Sequence, residues 1–199
     1  MKNAIRYRQM FESYGGIMRT KQLTDEKVFY ATIQQLLHEG YIEKIKIGCY
    51  RWAENQNTDE AQLISQLFPD GILCMETALY HYRYFEEKPQ EWHLAVSKDS
   101  GKSRFDIDFP CVKPHYVKPT LLELGIIQAE INGHNMKMYN RDRVICDCMR
   151  YRHKLDAEIF KKAVQAYVSD PQKNIPQLLS YAEPLRVKKY AQDLIGVWM

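Results

Sequence analysis

The 199-residue chain has no long apolar run; its most hydrophobic stretches, such as Ile72-Leu73-Cys74-Met75, last only a few residues. That excludes a membrane-spanning helix, which needs about 20 consecutive apolar residues. The N-terminal stretch MKNAIRYRQMFE also lacks the apolar centre of a secretory signal, so a cytoplasmic location with no membrane partner is expected. Cysteines are few and poorly spaced for chemistry. Cys49, Cys74, Cys111, Cys146 and Cys148 form no CxxC pair and no zinc-like spacing with histidine. Their odd number points to reduced thiols, mostly packed as small apolar groups. Low-complexity tracts and internal repeats are missing too, although the chain carries 14 tyrosines. What is present is an ordinary globular composition, 45% hydrophobic and 27% charged, in a length that suits one mid-sized domain or two small ones.

A strong excess of one charge is lacking as well, since the formal net charge is only +3. Its distribution is uneven. Residues 1–53 hold nine Lys/Arg against five Asp/Glu, a local +4, which leaves −1 for the remainder. The positive charge of the first quarter points to an anionic partner there.

That first quarter has a readable order of elements. Tyr7, Met10, Phe11 and Tyr14 recur at helical spacing, and Gly15-Gly16 ends the helix. Ile17-Met18-Arg19-Thr20 is short and extended, and a second short helix starts at Thr20-Lys21-Gln22-Leu23. From about residue 28, Phe29, Ile33, Leu36 and Leu37 share a helical face that Gly40 closes. Two strands follow, YIEKI and CYRWA, joined tightly at Lys46-Ile47-Gly48. Helix, strand, helix, turn, helix, hairpin is the order of a winged helix-turn-helix, expected over residues 1–54.

Such a unit places its third helix in the DNA major groove and its hairpin on the backbone. Opposite the apolar stripe of the third helix lie Lys27, Ala31, Gln34, Gln35 and His38, with Tyr30 and Thr32 at the flanks. Gln34 and Gln35 suit adenine edges, while Lys44, Lys46 and Arg51 suit phosphates. Arg19, Thr20 and Lys21, at the start of the second helix, complete the expected DNA-binding set. A solvated polar face would explain any one of these alone; the element order, hairpin and local charge together favour DNA.

After a polar linker at 54–58, residues 59–199 read as an α+β domain with strands over about 72–139 and helices over about 141–197. A helix over 59–68 stops at Pro69-Asp70-Gly71; EWHLAVS, CVKPHYV, IIQAEI and MKMYN read as extended, with Gly133 marking a hairpin between the last two. Ser100-Gly101-Lys102-Ser103 falls short of a phosphate-binding loop: the required upstream glycine is Val96, and an extended, proline-interrupted run follows. Asp106 and Asp108 fall on one side of a strand, where two carboxylates could hold Mg²⁺, but no phosphate-gripping Gly-Ser turn precedes them at suitable spacing. His81, His93, His115 and His134 show no metal-like spacing. No catalytic, metal or cofactor site is therefore expected.

The run CDCMRYRHKL at 146–155 looks chemical but fails on geometry. In a helix over 141–154, Cys146 and Cys148 diverge by roughly 160°, and Cys146 lies about 10 Å from His153. One ion cannot join either pair. Val144, Ile145, Cys148, Met149, Tyr151 and Leu155 form the apolar side, with Arg152 near its centre. Arg143, Asp147, Arg150 and Lys154 form a polar stripe, open to an anionic or protein partner.

The chain resembles the AbiEi antitoxins of bacterial abortive-infection (type IV) toxin–antitoxin systems. The segments that carry the resemblance are GGIMRTKQL, LLHEGYIEKIKIGCYRWA, ETALYHYRYFEEKPQEWHLAVS, INGHNMKMYNRDRVICDCMRYRHKLDAEIFKKAVQAYV and YAEPLRVKKY. The resemblance implies an N-terminal winged helix-turn-helix that represses its own operon on promoter inverted repeats, with dimerisation on double-stranded DNA. It also implies a C-terminal domain that neutralises a nucleotidyltransferase toxin without a stable complex. SKDSGKSRFDIDF stands where the family has a basic, proline-containing loop, and YNRDR stands where a proline is usual. The resulting expectation is a non-enzymatic antitoxin and autorepressor. Lys27, Gln34 and Gln35 would lie in the major groove and Lys44, Lys46 and Arg51 on phosphates, with an antitoxin surface of Arg143, Arg150, Arg152 and Lys154. A stand-alone regulator with a ligand-sensing or dimerising second domain, and a nucleotidyltransferase-like enzyme on Asp106 and Asp108, are the alternatives.

Overall fold

The computed structural model describes residues 2–54, 59–107 and 109–198. The fold is mixed α+β, with ten α-helices and two small sheets among the described residues. The chain divides into two compact units: residues up to Leu67 together with Asp106–Pro110, and Phe68–Phe105 together with Cys111 onward. Most of the linker expected at 54–58, and Asp108 of the carboxylate pair, lie outside the described residues.

In the first unit, α1 (Lys2–Ser13) ends where Gly15 and Gly16 take positive φ and Gly16 N–H donates to Phe11 O at 2.7 Å. A side chain is disfavoured in that left-handed conformation, so the glycine pair sets the stop. There follow β1 (Ile17–Arg19), α2 (Thr20–Asp25), α3 (Tyr30–His38), β2 (Ile42–Lys46) and β3 (Cys49–Trp52). β3 lies between β1 and β2, antiparallel to both, and the pairing slips between Lys44 and Lys46. Phe11, Met18, Leu23, Val28, Ile33, Leu36, Ile42, Tyr50 and Trp52 close one core beneath these elements. Burying each such side chain is worth about 1.5–3 kcal/mol.

The next helix, α4 (Glu60–Leu67), was assigned by the 54–59 boundary to the second domain, but it clusters with the first unit. Three side chains give the reason. Gln62 donates to Gly15 O at 2.7 Å, Gln66 to Tyr14 O at 3.4 Å, and Arg19 to Gln66 O at 2.9 Å. These long polar residues satisfy carbonyls that the C-terminal ends of α1 and α4 leave open.

The second unit contains β4 (Ile72–Leu73), α5 (Met75–His81), β5 (Trp92–Ser97), β6 (Val112–Val117), α6 (Pro119–Leu122), β7 (Ile126–Ile131) and β8 (His134–Tyr139). The sheet order is β6-β5-β4-β8-β7. β5 and β6 are parallel, β7 and β8 form the predicted hairpin, and β4 is parallel to β8. Four helices complete the unit: α7 (Arg141–Tyr151), α8 (Ala157–Ser169), α9 (Ile175–Ala182) and α10 (Lys188–Trp198). Asn140 caps α7 by accepting from Arg143 N–H, and Asp156 caps α8 by accepting from Glu158 and Ile159. α7 packs against α5, α8, α9 and α10.

Candidate nucleic-acid interface

The surface around α2, α3 and the β2–β3 hairpin holds the expected DNA-binding residues, and the structure sorts them into two groups. Lys21, Lys27, Tyr30, Gln34, Gln35 and Lys44 are exposed, as is Thr20, and Lys46 is half-buried. Lys27 does not belong to α3. It sits in the turn before it, with φ +62, in the sharp reversal that separates α2 from α3. Gln35 donates to Glu39 at 2.7 Å on the same helix, whereas Gln34 shares the i, i+4 face of Tyr30. The hairpin tip is held close to α2, since Thr20 N–H donates to Gly48 O at 2.9 Å. Ile47 stands out from that tip at 89% exposure.

Two arginines of the expected DNA-binding set, Arg51 and Arg19, are committed elsewhere. Arg51 sits opposite Glu43 across the β2–β3 ladder and donates to one of its carboxylate oxygens from two nitrogens, at 2.9 and 2.7 Å. Arg19 donates to Gln66 O and Leu67 O, where the cation meets the C-terminal carbonyls of α4. Both therefore act as ties within the unit.

The apolar stripe expected for α3 also needs correction. Val28, Ile33 and Leu36 are buried, but Phe29 is 60% exposed and its neighbour Tyr30 75%. Phe29 is the N-cap, with extended φ −91 and ψ 171, so its side chain leaves the backbone outside the helical wheel and Val28 takes the core position.

In the second unit, the expected exposed stripe on α7 does not exist as such. Arg143 is 0% exposed and Asp147 is buried beside it. The Arg143 guanidinium pairs with Asp147 at 3.0 Å, donates to Leu121 O and Leu124 O at 2.8 Å each, and lies 4.2 Å from the Tyr139 ring centre. Gly125 makes room for it: a Cβ there would stand 2.8 Å from the Arg143 Cβ. Arg143 is thus a structural cation rather than a docking one. Only the C-terminal end of the run reaches solvent: Arg150 and Arg152 are half-buried, and His153 and Lys154 are exposed. Arg152 finds the partner its position demands, donating to Met149 O at 3.0 Å with its guanidinium over the Tyr190 ring.

The cysteines of the run are packed. Cys146 donates to Leu178 O at 3.4 Å, and burial pushes its thiol up to about 12; Cys148 is raised by burial as well. Thiols held protonated in this way are poor nucleophiles.

One partly buried cluster escaped the sequence. His93 on β5 and His115 on β6 approach at 3.2 Å between ring nitrogens, and the far His93 nitrogen lies 3.8 Å from Glu76. Burial first, then the neighbouring His115 and Lys113, drive His93 down to about 3, while burial and Lys113 drive His115 to about 4. Both rings are neutral at pH 7. The available sequence signal was weak: each residue sits at an alternating position of its strand, but only the pairing of β5 with β6 brings them together.

No family model matches the chain, and no curated protein matches it.

Proposed function

We propose that the first unit is a winged helix-turn-helix that binds double-stranded promoter DNA, and that the whole chain is the antitoxin and autorepressor of a type IV abortive-infection operon. The carrying observation is the polar and cationic side chains that a small β1-β3-β2 unit presents on its helices and hairpin: Gln34 and Tyr30 on α3, Lys21 on α2, Lys27 in the turn between them, and Lys44 on a short hairpin tied to α2. α3 packs on β2, so helix and hairpin are held as one rigid piece. Rigid support is what a groove-reading helix needs to keep its register. Inverted repeats in the promoter, and dimerisation on them, follow from the resemblance to the AbiEi antitoxins, as does neutralisation of a nucleotidyltransferase toxin without a stable complex. The second unit contributes Arg150 and Lys154, with Arg152 in a supporting position; Arg143 drops out of that surface because it is buried.

The reading is tested on the DNA upstream of the protein's own gene. Lys44→Ala/Lys46→Ala should weaken binding to all duplexes alike and lower the salt slope by about one per lost phosphate contact. Arg51→Ala, which frees Glu43 rather than a phosphate, should change that slope much less. Full-length protein that shows no salt-dependent binding to this DNA in gel-shift titration defeats the repressor half. Failure to rescue cells expressing the adjacent nucleotidyltransferase defeats the antitoxin half.

A further inference from the structure

The aromatic pair Phe29-Tyr30 has no role in the fold that its exposure would explain. Val28, Ile33 and Leu36 fill the core beneath α3, leaving Phe29 at 60% and Tyr30 at 75% exposure. Isolated surface hydrophobes are ordinary. Two large aromatics in sequence, at the N-cap and first residue of the helix proposed to read DNA, are less so. Their surroundings select among partners. Lys27 precedes them by two residues and is exposed, Lys21 is exposed on α2, and Gln34 continues the Tyr30 face one turn on. Nearby Glu26 accepts a hydrogen bond from Tyr14 Oη at 2.9 Å. An apolar pair on a stretch whose exposed residues include Lys21, Lys27 and Gln34, against the one exposed carboxylate Asp25 between Lys21 and Gln34, suits an anionic surface that also presents apolar groups. The DNA major groove does so at one place, the 5-methyl group of thymine. In helix-turn-helix docking the N-terminal residues of the recognition helix are the ones that reach base edges.

We propose that Phe29 and Tyr30 contact thymine 5-methyl groups in the major groove and so set part of the sequence preference. This rests on the DNA-binding reading and adds a base-specific element to it. The contact is apolar, so it adds discrimination without adding a phosphate contact, and its loss leaves the salt dependence unchanged.

The test uses the full-length protein and two probes: the duplex upstream of its own gene, and the same duplex with every thymidine replaced by deoxyuridine, which lacks only the methyl. Wild type should bind the uracil duplex about fourfold more weakly for each methyl contacted. Phe29→Ala/Tyr30→Ala should bind the thymine duplex more weakly and show a thymine-to-uracil ratio near one, with an unaltered salt slope. Because both side chains are exposed, this variant should keep the wild-type thermal melt. Ile47→Ala, an equally exposed apolar removal at the hairpin tip, should keep the wild-type ratio. A wild-type ratio of one, or the same ratio in the double variant, overturns the inference while leaving DNA binding intact. A double variant that binds both duplexes as wild type does but no longer rescues toxin-expressing cells assigns the pair to a protein partner and also overturns it. If wild type binds neither duplex, the DNA-binding reading falls and this inference falls with it.

Discussion

Replacing Arg143 by methionine is the sharpest test of how the second unit is built. The substitution keeps much of the stem volume and removes a guanidinium that is fully enclosed. Three polar partners lose their donor at once: the Asp147 carboxylate at 3.0 Å and the Leu121 and Leu124 carbonyls at 2.8 Å each. The stacking on Tyr139 at 4.2 Å goes too. The dominant cost is the carboxylate left buried without its cation, and breaking a buried pair from one side costs about 3–5 kcal/mol. For a chain of this size each kcal/mol moves Tm by about 2–4 °C, so a fall of roughly 10 °C is expected. Urea titration followed by circular dichroism gives the free energy directly. The same reasoning requires partial recovery in Arg143→Met/Asp147→Leu, where no uncompensated charge remains. Arg143→Met within about 1 kcal/mol of wild type, or a double variant no more stable than the single one, would refute this account. It also separates stability from function: any loss of antitoxin rescue by Arg143→Met should track the unfolded fraction, not a lost surface contact.

Three further outcomes are expected. Gly125 has φ +82 and almost touches Arg143, so Gly125→Ala should destabilise by at least about 1–3 kcal/mol from backbone strain, with the clash adding to it, as read by denaturant midpoint. The buried His93 and half-buried His115 are held below the ~6.5 of a free histidine, so between that pH and about 4 the unfolded chain binds more protons. Stability should fall with acidification through this window, by on the order of 1 kcal/mol per pH unit, and less steeply in His115→Gln; equal slopes would count against the pair. Arg150→Glu/Lys154→Glu, at a half-buried and an exposed position, should cost no more than about 1 kcal/mol in the melt yet abolish rescue of toxin-expressing cells. A folded variant that still rescues would remove the antitoxin surface proposed for this segment.

Much of the secondary structure was legible because it obeys local rules. Gly15-Gly16 stops α1, Gly40 closes the turn after α3, and Gly133 marks the hairpin between β7 and β8. The helical run after residue 140 was also foreseen, although α7 ends at Tyr151 rather than 154. Local rules fail where a side chain's surroundings come from distant chain. A helical wheel shows which residues of α7 share a face, but not that α5, α8, α9 and α10 enclose it on several sides. Arg143 and Asp147 therefore look exposed by pattern and are buried by packing, because the carbonyls that satisfy Arg143 come from α6 and the turn after it, at Leu121 and Leu124.

At the candidate interface the division is similar. Charge asymmetry, element order and the basic hairpin could be read from residue types alone, since they need only composition and period. The loss of Arg19 to α4 and of Arg51 to Glu43 depends on which backbone carbonyl or carboxylate is within reach. Phe29 turns on a single boundary, the residue at which α3 begins, and the meeting of His93 with His115 requires the β5–β6 pairing. The sequence by itself determined the elements and where the charge is concentrated. Tertiary structure decided which charges remain at the surface, because a polar group leaves solvent only when long-range packing brings it a partner.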